Sequence, residues 1–264
     1  MWDYFKPEES KWYRWNLDGA EIYLRKNGDE WRTLCVPARF QDLKGDSSGP
    51  LLGDIPEGAT VSFAVANGTL VALKPVFGEL PYLITARNDV RIMSGEEACF
   101  DVVFPVSVRI ELGNGENLGE FMPFSLSNTW FGDKTSGSLC WSIPTALDPR
   151  CKGEIEQPLE SPVSHRSLLS CEIIVHNDSK VPLDLKRLAI YTDMLNIYEE
   201  NGALVTDTVH VDGLGDGSLR MRITDSTPSS KKTSERKLLS AARLGQREFL
   251  VRRGVNFLRS VTGL

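Results

Sequence analysis

Three histidines are the side chains of this chain best suited to holding a transition metal or moving protons near neutral pH. They are His165, His176 and His210, and none stands at H-x-x-x-H or H-E-x-x-H spacing. His176 and His210 end two predicted strands and could meet in space, but neither has a second ligand close by in the sequence. We therefore predict satisfied or exposed histidines, with no metal site and no cofactor.

The serine and carboxylate candidates for catalysis are no stronger. Gly45–Pro50, G-D-S-S-G-P, resembles the nucleophile motif of trypsin-like serine proteases but departs from it at Ser48. That family places a histidine before the serine, whereas none precedes residue 165 here. Asp212–Gly217 fits neither the dinucleotide fingerprint nor the calcium loop. We predict turns at both segments and no catalytic residue, while a glycosidase pair of carboxylates, which folding could assemble from any two acids, stays open.

Cysteine usage and the N-terminus bear on the compartment. Five cysteines are an odd number, and no C-x-x-C pair occurs among them, which argues against a disulfide framework and a structural zinc site. The charged opening M-W-D-Y-F-K-P-E-E-S is unlike a secretory leader, and 18 uncharged apolar residues never follow one another. We expect reduced, mostly buried thiols in a cytoplasmic protein.

The segment Phe124–Pro144 gathers the residues best suited to binding a ligand. Trp130 and Trp141 flank a loop, residues 132–137, whose glycines and polar side chains suit a hairpin connection longer than two residues. Tryptophan rings beside polar groups can form a flat surface for a sugar ring or a peptide. Strand alternation would instead bury Leu139, Trp141 and Ile143. The candidate ligand-binding residues are Trp130, Asp133, Lys134 and Asn128.

The C-terminal tail differs in charge from the rest of the chain. Residues 229–264 carry nine Lys or Arg and two Glu, a charge of +7. Because the whole chain has a net charge of −6, the first 228 residues carry −13. Such a tail can dock on its own acidic body, pack in an oligomer, or lie on an anionic membrane surface or partner. Nucleic-acid binding is disfavoured because the acidic body would repel phosphate. The candidate partner-binding residues are Arg243, Arg247, Phe249, Arg252, Arg253 and Phe257.

Short strands must position these residues. Four Asn-Gly dipeptides and roughly a dozen strand-like segments at 8 to 12 residue spacing are typical of an all-β sandwich or barrel. Asn27-Gly28 predicts a type I′ turn that sets Leu24 opposite Trp31, with Ala20, Ile22 and Cys35 on the same face. A second hairpin is predicted at Asn67-Gly68. After a polar linker, Ser234 is a plausible N-cap for a basic helix carrying Leu238, Ala241, Ala242, Gly245 and Phe249 on one face.

The approach to the tryptophan loop resembles a known prokaryotic family. An apolar-Pro-apolar step, Val103-Phe104-Pro105-Val106, leads to an aromatic-Gly, loop, Gly-apolar-Cys-aromatic pattern in Trp130–Gly132 and Gly137–Trp141. This pattern is similar to domain of unknown function 432. The resemblance implies membership over most of residues 10–225, with the basic tail outside it, and implies no activity and no site residue.

The sequence thus predicts an all-β fold, an antiparallel β-sandwich of immunoglobulin-like or jelly-roll-like type, as one sandwich or two packed together, with a C-terminal helix. The expected divisions are residues 1–115 and 116–225 as two halves, and 226–264 as linker and helix. The expected function is a non-enzymatic binding or assembly module that contacts a protein partner or itself through the tail. The alternative is a carbohydrate-binding or carbohydrate-active protein that uses the Trp130 loop.

Overall fold

A computed structural model describes residues 2–17, 20–37, 48–50, 55, 60–65, 68–131, 138–147, 167–214, 219–224, 236–245 and 248–251. These residues form twenty β-strands and no helix, which confirms the all-β class. None of them belongs to a helix that could cross a membrane. The chain divides into two compact units built from interleaved segments.

The first unit comprises Met1–Phe77, Pro105–Ser125 and Val163–Leu168. Its strands are β1 (Trp12–Leu17), β2 (Ala20–Asn27), β3 (Glu30–Val36), β4 (Ser48–Pro50), β5 (Val61–Ala64), β6 (Val71–Val76), β9 (Ser107–Leu112) and β10 (Asn117–Phe121). One sheet is five-stranded, in the order β4-β1-β2-β3-β5, and the other is three-stranded, in the order β10-β9-β6; strand pairing among the described residues of both sheets is antiparallel.

The first hairpin has a different register from the predicted one. Asn27 pairs with Glu30, so the two-residue loop is Gly28-Asp29, and Leu24 lies opposite Thr33 instead of Trp31. The displacement is by two residues, which keeps the same side chains on the same face because side chains alternate with period two. Trp31 is therefore buried as expected, together with Ala20, Ile22 and Leu24.

The predicted hairpin at Asn67-Gly68 is wrong, because β5 pairs with β3 and β6 pairs with β9. Gly68 serves close packing instead. A Cβ at this position would lie 2.9 Å from the Leu112 side chain and 3.3 Å from Trp31 Nε1. The predicted turn at residues 45–50 is also incorrect at its end, since Ser48–Pro50 forms β4 beside β1.

The second unit contains the remaining strands, apart from single residues at the ends of β8 and β13. Its strands are β7 (Tyr82–Ile92), β8 (Glu97–Pro105), β11 (Ser127–Phe131), β12 (Ser138–Leu147), β13 (Leu168–Asn177), β14 (Leu183–Ile190), β15 (Ile197–Glu200), β16 (Ala203–Thr206), β17 (Thr208–Gly213), β18 (Leu219–Thr224), β19 (Lys237–Ser240) and β20 (Glu248–Val251). A four-stranded sheet has the order β11-β12-β7-β14. An eight-stranded sheet has the order β19-β15-β16-β13-β17-β18-β20, and β8 also pairs with β13.

Both sheets of the second unit are mixed, which corrects the prediction of purely antiparallel pairing. β12 runs parallel to β7, and both β16 and β17 run parallel to β13. Leu169 lies opposite Leu204 while Ile173 lies opposite Val209, so the β16–β17 side has one extra residue. The two strands are therefore one bulged strand, interrupted at the fully buried Asp207.

The predicted C-terminal helix is also wrong over the described part of the tail. Lys237–Ser240 forms β19 against β15, and Glu248–Val251 forms β20 against β18. Each tail strand supplies hydrogen-bond partners to the edge of a sheet, an interaction that a helix in the same place would not make.

Candidate functional site

The exposed face of the hairpin β11–β12 carries both of the predicted ligand-binding residues that the structure describes. Trp130 lies opposite Leu139, and Asn128 lies opposite Trp141, so all four side chains share one face. Trp130 is 51 % exposed and Leu139 is 42 % exposed. None of the four is charged. We call these four residues the tryptophan face.

The opposite face of this hairpin is buried. Phe131 and Cys140 are buried, and the Arg187 guanidinium lies 5.6 Å from the Phe131 ring centroid. On the tryptophan face itself, Trp141 is half-buried and contacts Tyr82 with ring centroids 5.7 Å apart. The hairpin is thus fixed at Trp141 and open to solvent at Trp130 and Leu139. The expectation that alternation buries Leu139, Trp141 and Ile143 together is correct for Ile143 alone.

The other predicted contact residues have different outcomes. Asp133 and Lys134 lie outside the described residues, so the structure brings together only Asn128 and Trp130 of the four predicted ligand contacts. In the tail, Arg243 is exposed at a bend and Phe249 belongs to β20. The remaining predicted partner contacts, Arg247, Arg252, Arg253 and Phe257, are outside the described residues.

A polar cluster on β13, β17 and β18 was not predicted as a group. Parallel pairing sets His176 opposite Asp212. His176 Nδ1 is 2.9 Å from Asp178 Oδ1, and Arg222 donates to both oxygens of Asp212, at 2.9 and 3.1 Å. Ligand atoms of His176, Asp178 and Asp212 lie within 4.8 Å of one another, close enough to share a cation. The Arg222 charge opposes such a cation, because it already neutralises Asp212.

His210 lies on the same face, two residues before Asp212. Its Nε2 is 3.0 Å from Thr224 Oγ1. Burial lowers the pKa of the His210 imidazole, and the Arg222 charge lowers it further. His176 and His210 were expected to be able to meet in space, and they share one face of the sheet, since Ile174 is opposite His210 and His176 opposite Asp212. Asp212 and its partner Arg222 were not anticipated, because only the strand register brings Asp212 to His176.

Three of the four described thiols are poor nucleophiles. Cys35, Cys99, Cys140 and Cys171 form no disulfide with one another. Burial raises the pKa of both Cys35 and Cys140 to about 11. Burial, with the Glu172 and Asp207 charges, raises the pKa of Cys171 further still. A thiolate is the reactive form, so Cys35, Cys140 and Cys171 are inert near neutral pH.

A third group of contacts surrounds the buried Asp207. Its Oδ2 accepts hydrogen bonds from the backbone N and the Nδ2 of Asn196, both at 2.9 Å, and its Oδ1 accepts one from Tyr198 Oη at 3.2 Å. Asn196 and Tyr198 in turn contact the tail. Ala242 N donates to Asn196 Oδ1 at 3.0 Å, and the Arg236 guanidinium lies 5.9 Å from the Tyr198 ring centroid.

These observations define an all-β protein of two interleaved units with an exposed tryptophan face and a tail paired into its own sheet. The chain matches the model of a family described as protein of unknown function (DUF432) over residues 1–258, and it belongs to that family. The match confirms the resemblance carried by the Trp130 pattern and extends beyond the expected residues 10–225 into the basic tail. Searches of curated proteins and of solved structures found no match.

Proposed function

We propose that the protein is a non-enzymatic assembly module that associates with a second copy of itself through the tryptophan face. The observation that carries this proposal is the pairing of two exposed apolar side chains, Trp130 and Leu139, across one hairpin. Buried tryptophans are among the residues that contribute most to protein interfaces, and removing one from an interface centre costs about 2 kcal/mol or more.

Charge permits a second copy as the partner at the tryptophan face. The whole chain carries a net charge of −6, so two copies repel each other over most orientations. The tryptophan face contains no charged residue, so apposing it with its own copy brings no like charges into direct contact. A twofold symmetric contact is also the commonest form of self-association.

The packing of the two sheets in the first unit is also a proposal. We propose that the two sheets of the first unit pack face to face as a sandwich. Phe5 supports this, because its backbone bridges to Val71 of the three-stranded sheet while its ring lies 5.2 and 5.7 Å from the rings of Tyr13 and Trp15 on β1. A cytoplasmic location agrees with the four described cysteines being thiols and not disulfides.

Carbohydrate binding is the second candidate function. Asn128 is exposed two residues before Trp130 on the same face, so an amide lies beside an indole ring. Sugars stack their apolar faces on aromatic rings while amides bond their hydroxyl groups. The absence of charge on the tryptophan face favours a neutral sugar over an anionic one.

The test compares the wild type with Trp130→Ala and Leu139→Ala by analytical ultracentrifugation over a range of concentrations. We expect the mass of the wild type to rise with concentration, and each substitution to weaken self-association at least tenfold. Val181→Ala is the matched control, because Val181 is an exposed apolar residue at a turn, 64 % exposed. It should leave the association unchanged.

A glycan array separates the two functions. A monomeric wild type that binds a glycan, with the signal lost in Trp130→Ala, replaces assembly with carbohydrate binding. A monomeric wild type that binds no glycan rejects both roles for the tryptophan face.

A further inference from the structure

We propose that the edge formed by β15 and the residues just before it is a binding site for a basic extended peptide. The segment Arg236–Leu244, which we call the tail segment, occupies this site within its own chain, and the tail segment of a second copy is its ligand between chains. The proposal concerns a surface separate from the tryptophan face and does not depend on it.

Backbone pairing gives the site its geometry. β19 adds to the edge strand β15 in antiparallel register, with Tyr198 opposite Leu238 and Glu199 opposite Lys237. The register shifts by one residue at Leu239, and this bulged residue is only 7 % exposed. Strand addition of this kind provides affinity through main-chain hydrogen bonds, while side-chain pockets provide specificity.

The specific pocket accepts an arginine. Arg236 Nε donates to Glu200 Oε2 at 2.9 Å, with the two side chains only 21 % and 15 % exposed. The same guanidinium lies near the Tyr198 ring. A planar guanidinium can bond a carboxylate and stack on an aromatic ring at once, which a lysine ammonium does less well. The pocket therefore selects a basic residue directly before the added strand.

Beyond β19, the site makes hydrogen bonds to the backbone of the tail segment. Asn196 Oδ1 accepts a hydrogen bond from Ala242 N, and the carbonyl oxygen of Asp193 accepts one from Leu244 N at 2.7 Å. Main-chain contacts of this kind depend on extended conformation more than on sequence. Specificity therefore comes from Arg236 and from the buried Leu239.

The receptor side of this site is held in place by groups outside the tail segment. Asp207 is fully buried, and its carboxylate bonds Asn196 and Tyr198, two residues that contact the tail segment. Thr206 Oγ1 also donates to the Asn196 carbonyl at 2.6 Å. A site whose contacts are fixed before binding loses less entropy on binding, so the edge can accept the same strand from another chain.

A second copy is the occupant that the charges favour. Residues 229–264 carry +7 and the first 228 residues carry −13, so each tail is attracted to the body of another molecule as well as to its own. Within one chain the effective concentration of the tail is on the order of millimolar. Exchange between chains is therefore expected to increase with protein concentration.

The test uses two full-length variants, Glu199→Cys and Lys237→Cys, which change register partners. Directly opposed residues of an antiparallel pair have Cα atoms about 4.5–5.5 Å apart, a separation that a disulfide can bridge. The two variants are mixed at high concentration, oxidised and separated on non-reducing gels. We expect a covalent heterodimer, which forms when the tail segment of one chain lies on the β15 edge of the other.

Three comparisons make the result decisive. Adding Glu200→Gln to the Glu199→Cys chain should reduce the heterodimer at least fivefold. Pairing Glu199→Cys with Lys180→Cys, an exposed lysine in the β13–β14 turn, should give only background. The double variant Glu199→Cys/Lys237→Cys should form a crosslink within the monomer.

Two results would overturn the proposal. A double variant that forms no crosslink within the chain rejects the site itself. A double variant that crosslinks internally, together with a mixture no different from the Lys180→Cys control, rejects binding between chains. Trp130→Ala should leave the heterodimer yield unchanged, so failure of the assembly function is distinguishable from failure of this site.

Discussion

At Asn177 a fully buried amide uses all of its hydrogen-bonding groups. Its Nδ2 donates to the carbonyl oxygens of Ile92 and Val181, at 3.0 and 2.8 Å, and its Oδ1 accepts from the backbone N and the hydroxyl of Ser179. The backbone of Asn177 also bonds Gly95 and Glu96. One residue therefore joins the β7–β8 turn to the β13–β14 turn of the second unit.

Asn177→Ala should destabilise the protein by about 1–3 kcal/mol. The substitution leaves the buried carbonyl group of Ile92 and the part-buried carbonyl group of Val181 without their Nδ2 donor, and an unsatisfied buried group costs about 1–3 kcal/mol. Urea denaturation measures the change, with Asn88→Ala as the control because Asn88 is exposed on β7. Equal unfolding midpoints for the two variants would contradict the role given to Asn177.

His210 predicts a pH dependence of stability. Burial, with the Arg222 charge, lowers the pKa of His210 in the folded state below its ordinary value of about 6.5. The unfolded state therefore binds the proton first as the pH falls, and stability is lost from about pH 6.5 downward through the folded pKa. In His210→Gln this loss disappears, so the unfolding free energies of wild type and variant should converge or cross between pH 7.5 and 5. Parallel curves would show that His210 does not contribute.

The spacing of His176 and Asp212 in the sequence does not predict that they lie together in the polar cluster. Asp212 lies 36 residues after His176, and nothing in their spacing relates them. They meet because β13 and β17 are parallel neighbours, in a register shifted by the bulge at Asp207. Trp130 could be selected from the sequence because tryptophan is rare and polar residues lie near it in the chain, and the structure places its side chain on the surface.

At the scale of elements, the same dipeptide gave two outcomes. Asn201-Gly202 joins β15 to β16 with φ of +52° and +81°, the two positive values that a type I′ turn requires. In the first hairpin, the two-residue loop is Gly28-Asp29 instead of the predicted Asn27-Gly28. Ser10 donates its hydroxyl to Asn27 Oδ1, and Gly28 N donates to Glu9 Oε2, so residues from outside the hairpin hold Asn27 in the strand.

In the tail, the local sequence pattern predicted a helix where the structure has strands. Leu238, Ala241 and Ala242 recur at helical spacing, and this pattern predicted a helix. The edges of β15 and β18 offer unpaired backbone groups to an added strand, and burial of Leu239 at a bulge adds side-chain packing. Such tertiary interactions commonly override local propensity, and they are not visible in the sequence window that carries the periodicity.

Gly28 tests the first hairpin. Its φ is +61°, and a Cβ added there would meet nothing within 4 Å, so any cost of substitution arises from backbone strain alone. Gly28→Ala should lower the free energy of unfolding by about 1–2 kcal/mol, the cost of the left-handed conformation for a residue with a Cβ. Gly245→Ala is the control, because its surroundings are equally open and its φ is not positive. Thermal unfolding of both variants measures the difference, and equal melting temperatures would contradict it.

At the scale of the whole molecule, the interleaved units determine which fragments can fold. The second unit comprises Gly78–Phe104, Leu126–Pro162 and Leu169–Leu264. Its four-stranded sheet places β7 between β12 and β14, and β8 pairs with β13 of the other sheet. Most of the second unit lies after residue 125, but these two strands come from before it.

A fragment of residues 126–264 should therefore fail to fold. It lacks Tyr82 and Ile84, both fully buried on β7, and burying each such side chain contributes about 1.5–3 kcal/mol to a domain stabilised by only 5–15 kcal/mol. It also leaves β12 and β14 without the strand between them. Co-expression with residues 78–104 should restore a dispersed amide NMR spectrum, whereas a scrambled version of that peptide should not. A dispersed spectrum from 126–264 alone would show that the second unit does not need the strands inserted from the first half of the chain.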